Sequence, residues 1–467
     1  MNMVWDRNVS HGIREPGYDI KNHTMAVVSP GNIRKYDDKK KREEFFSRTL
    51  MGSSPLLFSS RFAQIFEFKR TMSYQSQHGI MAEPPGEPLI YLNNAATSWP
   101  KPQEVLDEVT RCLQAPFFEH GRSTAGGVTD YPSATREALA HFFNAEQPDH
   151  FIFTQNATDS LNILIHGFVK KQGVPFHTIT TELEHNSVLR PLHALAQEGR
   201  LSLATVPFDD DYQITLREIK RYIQPDTRLI VMNHGSNVLG SLQNIRPVAE
   251  YCADHDIFLI VDGAQTAGQI PINLSEIPAG AFVFTGHKAL FGMPGIGGFY
   301  LPDPEAIIPV RQGGTGTDSR NLAQPTEMPQ RFEAGTHNYP GMASLLAGIR
   351  FIERLGLDAI TMKNRDLTAL FINGLRNDPG IILYNPTPDL PVISFNIRNL
   401  ENDEAGYILA KAYNIVTRTG LHCAPLVHDR IDGGKGCVRV SLSCMTTPEE
   451  CRQAADAVRE VAEGANR

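Results

Sequence analysis

Cysteine is scarce in this chain, and long apolar runs are missing. Only six of the 467 residues are cysteines, at positions 112, 252, 423, 437, 444 and 451, without dense or regular spacing. This pattern excludes the disulfide framework of a small secreted domain. The sequence shows neither a run of about 18 apolar residues nor an apolar segment followed by a cleavage site. We therefore expect a cytoplasmic protein with reduced thiols that does not enter a membrane.

The sequence also lacks the signs of nucleic-acid or nucleotide binding. Its formal charge is -8, and residues 81–467 carry 31 Lys and Arg against 44 Asp and Glu. Such an acidic body does not offer the basic surface that phosphate backbones require. The P-loop and the dinucleotide glycine fingerprint are absent, which disfavours nucleotide binding.

Composition and periodicity predict three regions. Residues 1–80 carry 13 Lys and Arg against 8 Asp and Glu, but they lack repeated helix and strand signals. We expect a loosely structured extension there, either a nonfunctional or misassigned leader, which leaves a start at Met81 open, or a targeting or partner-binding tail. Residues 81–343 are expected to form a large α/β domain and residues 344–467 a smaller α+β domain. For residues 81–95, packing on the small domain stays open.

Short apolar runs between helical patterns indicate the buried strands of an α/β sheet. In the large domain these runs are FIFT, RLIVMN, IFLIVD, AFVFTG and GGFYL, and in the small domain PVISFNI and CVRVSLS. The last helix is expected to begin at TPEE, because Thr447 and Glu450 have the spacing of a capping box.

Two neighbouring predicted strands are each followed or ended by a residue that could take part in catalysis. Asp262 ends IFLIVD, and Lys288 follows AFVFTG in a loop of small residues. Ligands of open α/β sheets bind at strand ends. An Asp at such a position is by itself more often a cap or turn former, whereas a lysine there is costly unless it snorkels, pairs or bonds covalently. Together they suggest pyridoxal phosphate chemistry, in which the lysine bonds to the cofactor aldehyde and the carboxylate keeps the ring nitrogen protonated.

A phosphate site is predicted beside this pair. Ala157 and Thr158 open a helix directly after FIFT. The free N–H groups and the dipole of a helix N-terminus attract anions. The start of this helix would therefore offer backbone N–H donors to a phosphate, with no bulky side chain in the way.

Eight ordered motifs between about Tyr91 and Val461 resemble one family. They are YLNNAATSWPKP, TQNATDSLN, TELEHNSVLRP, HGSNVLG, VDGAQTAG, TGHKALFGMPG, FEAGTHNYP and RTGLHCAP. The chain is similar to cysteine desulfurases and selenocysteine lyases, which are class V aminotransferase-fold enzymes. The resemblance implies a fold type I pyridoxal-phosphate-dependent transferase, α/β in class, with a mostly parallel seven-stranded sheet in the large domain.

The resemblance also implies roles around the cofactor ring. Lys288 would hold the cofactor covalently and move the substrate Cα proton, as an amine of lowered pKa can. Asp262 would pair with the ring nitrogen, and His185 would stack on the ring as a further catalytic group. Asn237 and Gln265 would contact the ring oxygen.

The phosphate cradle is implied to come from two subunits. On one chain it would comprise Ala157, Thr158, Thr285 and His287. Gly316 and Thr317 match the stretch that family enzymes contribute from a second subunit, so a homodimer with shared sites is expected.

The same resemblance assigns the substrate end. Arg418 and Arg439, with Asn237, would bind the substrate carboxylate, because a guanidinium is a planar fork of donors. Cys423 would attack the sulfur of L-cysteine as a thiolate, which leaves a persulfide on the enzyme and releases L-alanine. Arg418, His422 and His428 could lower the pKa of Cys423. Sulfur would then pass to an acceptor, as in iron–sulfur cluster assembly.

Other roles, structural or metal-binding, stay open for several of these residues. His422, Cys423 and His428 could bind zinc, but no CxxC pair completes the ligand set, so we predict no metal site. Cys437 could pack or lie near the site, and the cysteines at 112, 252 and 451 are expected to pack. Cys423 itself could be an inert core residue, His185 a structural histidine and Lys288 a surface lysine.

Two departures from the family concern the substrate. Leu421 stands where many relatives have a second histidine, and SLSCMTT replaces the usual aromatic-bearing stretch. The alternatives to a cysteine desulfurase are therefore a selenocysteine lyase, another class V aminotransferase, epimerase or lyase in which Cys423 is incidental, and a noncatalytic protein that keeps only the fold.

Overall fold

The computed structural model describes residues 88–116, 129–317 and 319–466. The predicted extension, residues 1–80, and Met81 lie outside the described residues. The strands are β1 Ile90–Tyr91, β2 Phe151–Thr154, β3 Phe176–Thr181, β4 Leu201–Val206, β5 Thr227–Asn233, β6 Phe258–Asp262, β7 Ala281–Thr285, β8 Gly297–Tyr300, β9 Ile381–Leu383, β10 Val392–Ile397, β11 Ile415–Val416 and β12 Val438–Ser441. The α-helices are α1 Gln103–Gln114, α2 Tyr131–Phe142, α3 Ala157–Gln172, α4 Asn186–Gln197, α5 Leu216–Lys220, α6 Arg246–Asp254, α7 Tyr339–Leu355, α8 Leu357–Leu375, α9 Asn402–Ala412, α10 Pro425–Ile431 and α11 Pro448–Ala465.

A seven-stranded sheet forms the centre of the fold, in the order β2-β8-β7-β6-β5-β3-β4. Neighbouring strands from β7 to β4 run parallel, whereas β8 runs antiparallel to both β7 and β2. Apolar clusters cover both faces of the sheet. Strands buried on both faces are continuous hydrophobic runs, which is the pattern that AFVFT shows. The predicted mostly parallel seven-stranded sheet is confirmed.

The C-terminal part of the chain builds a smaller antiparallel sheet in the order β12-β10-β9. Helices α8 and α11 pack against each other over its apolar cluster. Strand β1 pairs with β11, so a segment from before the large sheet joins the region built by the C-terminal residues. The expected boundary near 344 falls inside helix α7. Thr447 and Glu450 form the predicted capping box at the start of α11.

The parallel strands bring polar side chains to one edge of the central sheet. Strands β3, β5, β6 and β7 end at Thr181, Asn233, Asp262 and Thr285. Asn233 lies directly opposite Asp262 in the β5–β6 ladder. Because parallel strands end at the same edge, these groups and the loops that follow them surround one space. No described helix is long and apolar enough to cross a membrane.

Candidate active site

A cavity of about 290 Å³ opens at this edge of the sheet. Eleven of the sequence-predicted site residues line it: Ala157, Thr158, His185, Asn237, Asp262, Gln265, Thr285, His287, Lys288, Arg418 and Arg439. Residues from seven separate loops and strand ends therefore converge, although up to 282 positions separate them in the chain. Such convergence of polar and titratable groups in one cavity is typical of an active site.

Lys288 lies three residues beyond the end of β7. Gly286 is closely packed against Ile296: it donates its N–H to Ile296 O, and a Cβ on Gly286 would lie 2.7 Å from Ile296 Cγ2. Burial lowers the pKa of Lys288 to about 8, with Asp262 opposing this shift and the two guanidiniums of the cavity adding to it. An amine with this pKa is about half neutral at pH 8, and the neutral form is the one that attacks an aldehyde or accepts a proton.

Asp262 ends β6, beside the strand that carries Lys288. One carboxylate oxygen accepts the N–H of Ala264 at 2.9 Å, which holds the side chain toward the cavity. Burial raises the pKa of Asp262, while the Ala264 N–H and Lys288 oppose the rise. A buried carboxylate next to a cationic partner suits a protonated ring nitrogen.

His185 caps the N-terminus of α4. Its Nδ1 accepts the N–H of Ser187 at 3.0 Å, so the neutral ring carries its hydrogen on Nε2. Burial and then Lys288, with the nearby arginines, lower the pKa of His185 to about 4. The ring is uncharged at neutral pH and is held at the cavity wall.

The other end of the cavity is suited to an anion. Helix α3 begins there, with Asn156 as its N-cap and Ala157 and Thr158 in its first turn. Thr285 Oγ1 and His287 Nδ1 are buried and have no hydrogen-bond partner among the described residues. Unsatisfied buried polar atoms are costly, and a phosphate at the helix N-terminus would satisfy them. The residues present therefore fit a cofactor with a phosphate at one end and an aldehyde within reach of Lys288.

Arg439 is a buried cation on β12. Its side chain is 1% exposed, donates to Asn237 O at 2.9 Å and to Asn93 Oδ1 at 3.1 Å, and leaves Nε without a partner. No carboxylate of the described residues forms an ion pair with it. Burial and the neighbouring Arg418 lower the pKa of Arg439 to about 9. A buried guanidinium without a counterion is a ready site for a small carboxylate.

Cys423 lies in a turn beside this arginine pair. His422 and Cys423 both have left-handed backbone conformations, with φ of 49° and 59°. Two hydrogen bonds from other loops hold the turn, from Asn186 N to Cys423 O at 2.7 Å and from Asn237 Nδ2 to His422 O at 2.8 Å. Arg418 Nη2 lies 3.5 Å from Cys423 Sγ, and the cysteine is partly exposed. The guanidinium is thus within hydrogen-bonding distance of the sulfur.

Three of the predicted site residues are not on the cavity wall. Cys423 lies beside Arg418, outside the lining set, and Gly316 and Thr317 are exposed away from it. Leu421 is 42% exposed. Conversely, the lining includes residues to which the sequence assigned no role: Ala95, Ala96, Asn156, Ser187, Asn233, Gly235 and Ala264. Ala95, Ala96 and Asn156 belong to the NNAAT and QNAT motifs, so the sequence did contain a signal for these three residues.

The alternative zinc set is rearranged in the structure. His422 and His428 do come together, but the thiol grouped with them is Cys437. Cys437 is fully buried, with Sγ 3.9 Å from His422 Nδ1. The cysteines at positions 112, 252 and 451 are buried on helices, which is where packing residues are found.

The sequence matches the family model for class-V aminotransferases over residues 90–453. The chain belongs to this family. Enzymes of the family depend on pyridoxal 5′-phosphate, the group that the cavity fits. The eight motifs that suggested the family all begin within the matched segment.

The relatives of this chain include named cysteine desulfurases. A probable cysteine desulfurase of Mycolicibacterium paratuberculosis is 32% identical over 396 residues, which cover 81% of this chain and 56% of that protein. This chain thus spans little more than half of that relative. A probable cysteine desulfurase of Halalkalibacterium halodurans is 30% identical over 347 residues, 73% of this chain and 85% of that protein. Among solved structures, apo cysteine desulfurase from Thermococcus onnurineus NA1 has a TM-score of 0.75 and 29% identity, with 80% of this chain and 95% of that chain covered.

Proposed function

We propose that this protein is a pyridoxal-5′-phosphate-dependent cysteine desulfurase that converts L-cysteine to L-alanine and carries the sulfur as a persulfide on Cys423. The observation that carries the proposal is the convergence of Lys288, Asp262 and His185 on one cavity, with Arg439 and the Cys423 turn at its far end. Membership of the class-V family and the similarity to cysteine desulfurases support the same activity.

The chain's own groups divide the work between the two ends of the cavity. Ala157, Thr158, Thr285 and His287 would bind the phosphate, and the neutral ring of His185 would pack against the cofactor. Asp262 would keep a proton on the ring nitrogen. When bound, pyridoxal phosphate withdraws electrons from the substrate Cα and Cβ. Lys288, about half neutral at pH 8, would hold the cofactor and then move the proton at Cα.

Sulfur transfer uses the groups at the Arg439 end. Arg439 and Arg418 bind the substrate carboxylate and aim the thiol group at the Cys423 turn. The Cys423 thiolate forms an S–S bond with the substrate sulfur as the substrate Cβ–S bond breaks. The electron pair of that bond remains with the three-carbon fragment, which takes up a proton and leaves as alanine. The enzyme retains one added sulfur atom and needs no external oxidant.

We also propose that the enzyme works as a homodimer in the cytoplasm and passes its sulfur to an acceptor protein, for example in iron–sulfur cluster assembly. Gly316 and Thr317 are exposed outside the cavity of their own chain, which suits a contribution to the phosphate site of a second copy. Static light scattering of the purified protein tests the dimer. A monomer that binds cofactor and turns over fully would contradict it.

Mass spectrometry after brief exposure to L-cysteine tests the reaction. We expect one added sulfur atom on the peptide that contains Cys423, together with stoichiometric alanine. The Cys423→Ser variant should keep the visible absorption of the bound cofactor but lose the added sulfur, whereas the matched Cys444→Ser variant should keep both. Full alanine release by Cys423→Ser would contradict the proposal. Selenide release from selenocysteine by that variant, without turnover of cysteine, would indicate a selenocysteine lyase instead.

A further inference from the structure

A buried cluster of three potential metal ligands lies behind the Cys423 turn. His422 belongs to that turn, His428 to helix α10, and Cys437 directly precedes β12. His422 Nδ1, His428 Nε2 and Cys437 Sγ all lie within 4.8 Å of one another. The three residues are at most 2% exposed. None of them lines the cofactor cavity, so the cluster is separate from the groups assigned above.

The outer nitrogen of each histidine faces an oxygen that can only accept. His422 Nε2 lies 3.2 Å from the carbonyl oxygen of Arg418, and His428 Nδ1 lies 2.6 Å from a carboxylate oxygen of Asp432. Each neutral imidazole therefore carries its hydrogen on the outer nitrogen. The two inner nitrogens are then bare lone pairs that face each other at 3.3 Å. Such a pair is repulsive unless a cation lies between the two rings.

Two observations favour a metal ion over a shared proton. Two nitrogens at about 2.0–2.1 Å from a tetrahedral zinc ion are about 3.3 Å apart, which matches the observed separation of the His422 and His428 nitrogens. The thiol of Cys437 is close to the same point, 3.9 Å from His422 Nδ1, and a proton shared by two imidazoles gives it no role.

The surroundings also follow the pattern of bound zinc. Metal-ligating histidines usually donate their other N–H to a carboxylate or a backbone carbonyl, which is the arrangement of His428 with Asp432 and of His422 with Arg418. A Cys437 thiolate and the Asp432 carboxylate together balance the charge of a divalent ion.

We propose that His422, His428 and Cys437 bind a zinc ion, with Asp432 as the outer partner of His428 and a water molecule in the fourth position. The ion would join the turn that carries Cys423 to helix α10 and to β12. It would thereby hold two adjacent residues in left-handed conformations, which residues with a Cβ rarely adopt. This site is independent of the reaction proposed for the cavity.

Metal analysis of the full-length holoenzyme tests the proposal. After expression with added zinc and dialysis without chelator, we expect about one zinc ion per chain. Replacement of zinc by cobalt should give the ligand-field bands of a tetrahedral ion and a thiolate-to-cobalt charge-transfer band. Cys437→Ser and His428→Gln should lose the zinc, while Cys451→Ser, another buried thiol, should retain it.

Cofactor absorbance and circular dichroism of each variant show whether it is folded. Should a variant fail to fold, the wild-type protein still decides, because X-ray absorption at the zinc edge must show nitrogen and sulfur ligands. Wild-type protein without stoichiometric zinc, or cobalt-loaded protein without the thiolate band, would overturn the proposal. Zinc retained by folded Cys437→Ser and His428→Gln would overturn it as well. A failure here leaves the persulfide experiment unaffected.

Discussion

The two ends of the active site are built in different ways. Lys288 and Asp262 follow adjacent strands of a buried seven-stranded sheet, so their positions are set by a continuous hydrogen-bonded ladder. Cys423 instead lies in a left-handed turn that hydrogen bonds from Asn186 and Asn237 hold in place. The cofactor end is therefore rigid by topology, whereas the sulfur end depends on a few replaceable contacts. Substitutions at the cofactor end should therefore change the rate of the chemical steps, and substitutions at the sulfur end should change the position of Cys423.

We expect the largest effect on the cofactor end from the substitution Lys288→Ala. Removal of the only amine at the close of β7 should abolish the visible absorption of the bound cofactor and lower kcat/KM by at least about a thousandfold. Lys363→Ala is the control, because this lysine donates to Cys444 O and does not line the cavity. Turnover close to wild type in Lys288→Ala would rule out the role given to this amine.

Arg439→Lys tests the buried cation between the two ends. Lysine keeps the charge but not the planar fork that reaches Asn237 O and Asn93 Oδ1. We expect KM for cysteine to rise about 10- to 100-fold, with a smaller change in kcat, in steady-state assays. Arg354→Lys, at an exposed ion pair with Glu104, should change neither constant. An unchanged KM in Arg439→Lys would remove this residue from the carboxylate site.

Glu184→Gln tests the burial of the cofactor end. Burial raises the pKa of Glu184 to about 8, above its ordinary value of 4.5. The folded state thus binds a proton that the unfolded state has released, and stability falls as pH rises from about 4.5 to 8. The glutamine variant has no such loss. The difference between its unfolding free energy and that of wild type should therefore increase by about 4 kcal/mol between pH 5 and pH 9.

Denaturant titrations at both pH values measure that difference. The surface variant Glu449→Gln, taken from an exposed ion pair with Arg452, should track wild type at both pH values. If Glu184→Gln tracks wild type too, the carboxyl is ionised throughout and the packing around it is looser than described.

Gly420→Ala tests the sulfur end with the smallest change. Gly420 has a φ of 92°, and a Cβ there would meet nothing within 4 Å, so only the backbone conformation opposes alanine. We expect a loss of about 1–2 kcal/mol in unfolding free energy and slower persulfide formation, with cofactor absorbance unchanged. Gly464→Ala, also in open space but on helix α11, should instead gain up to about 1 kcal/mol. Equal effects of the two substitutions would show that the turn is not held in its left-handed form.

The same contrast explains what sequence alone could predict. The run FIFT corresponds residue for residue to β2, and the ends of β6 and β7 fall within one residue of the predicted positions, because buried strands carry a strong apolar signal. Strands β3 and β4 were not predicted. FHTITT is half threonine, whose hydroxyls such as Thr180 Oγ1 find partners inside the sheet, and LSLATV is a partly exposed edge strand.

The backbone conformation of the turn at Cys423 could not be predicted from the sequence, for a different reason. Nothing local favours left-handed conformations at His422 and Cys423; distant donors on Asn186 and Asn237 select them. Likewise, no short motif links Cys437 to His422, which the pairing of residues 418 and 439 brings together. Tertiary contacts of this kind become visible only once the chain is folded.

The backbone at Cys423 is tied at its own carbonyl and at the carbonyl before it. Free travel of the sulfur is then limited to rotation about one side-chain bond, which moves Sγ by no more than about 3 Å within nanoseconds. A longer, mobile segment could carry the bound sulfur outward, but the Cys423 side chain cannot. A sulfur acceptor of the kind proposed above would therefore have to bring its own attacking group to Cys423, next to the exposed Leu421.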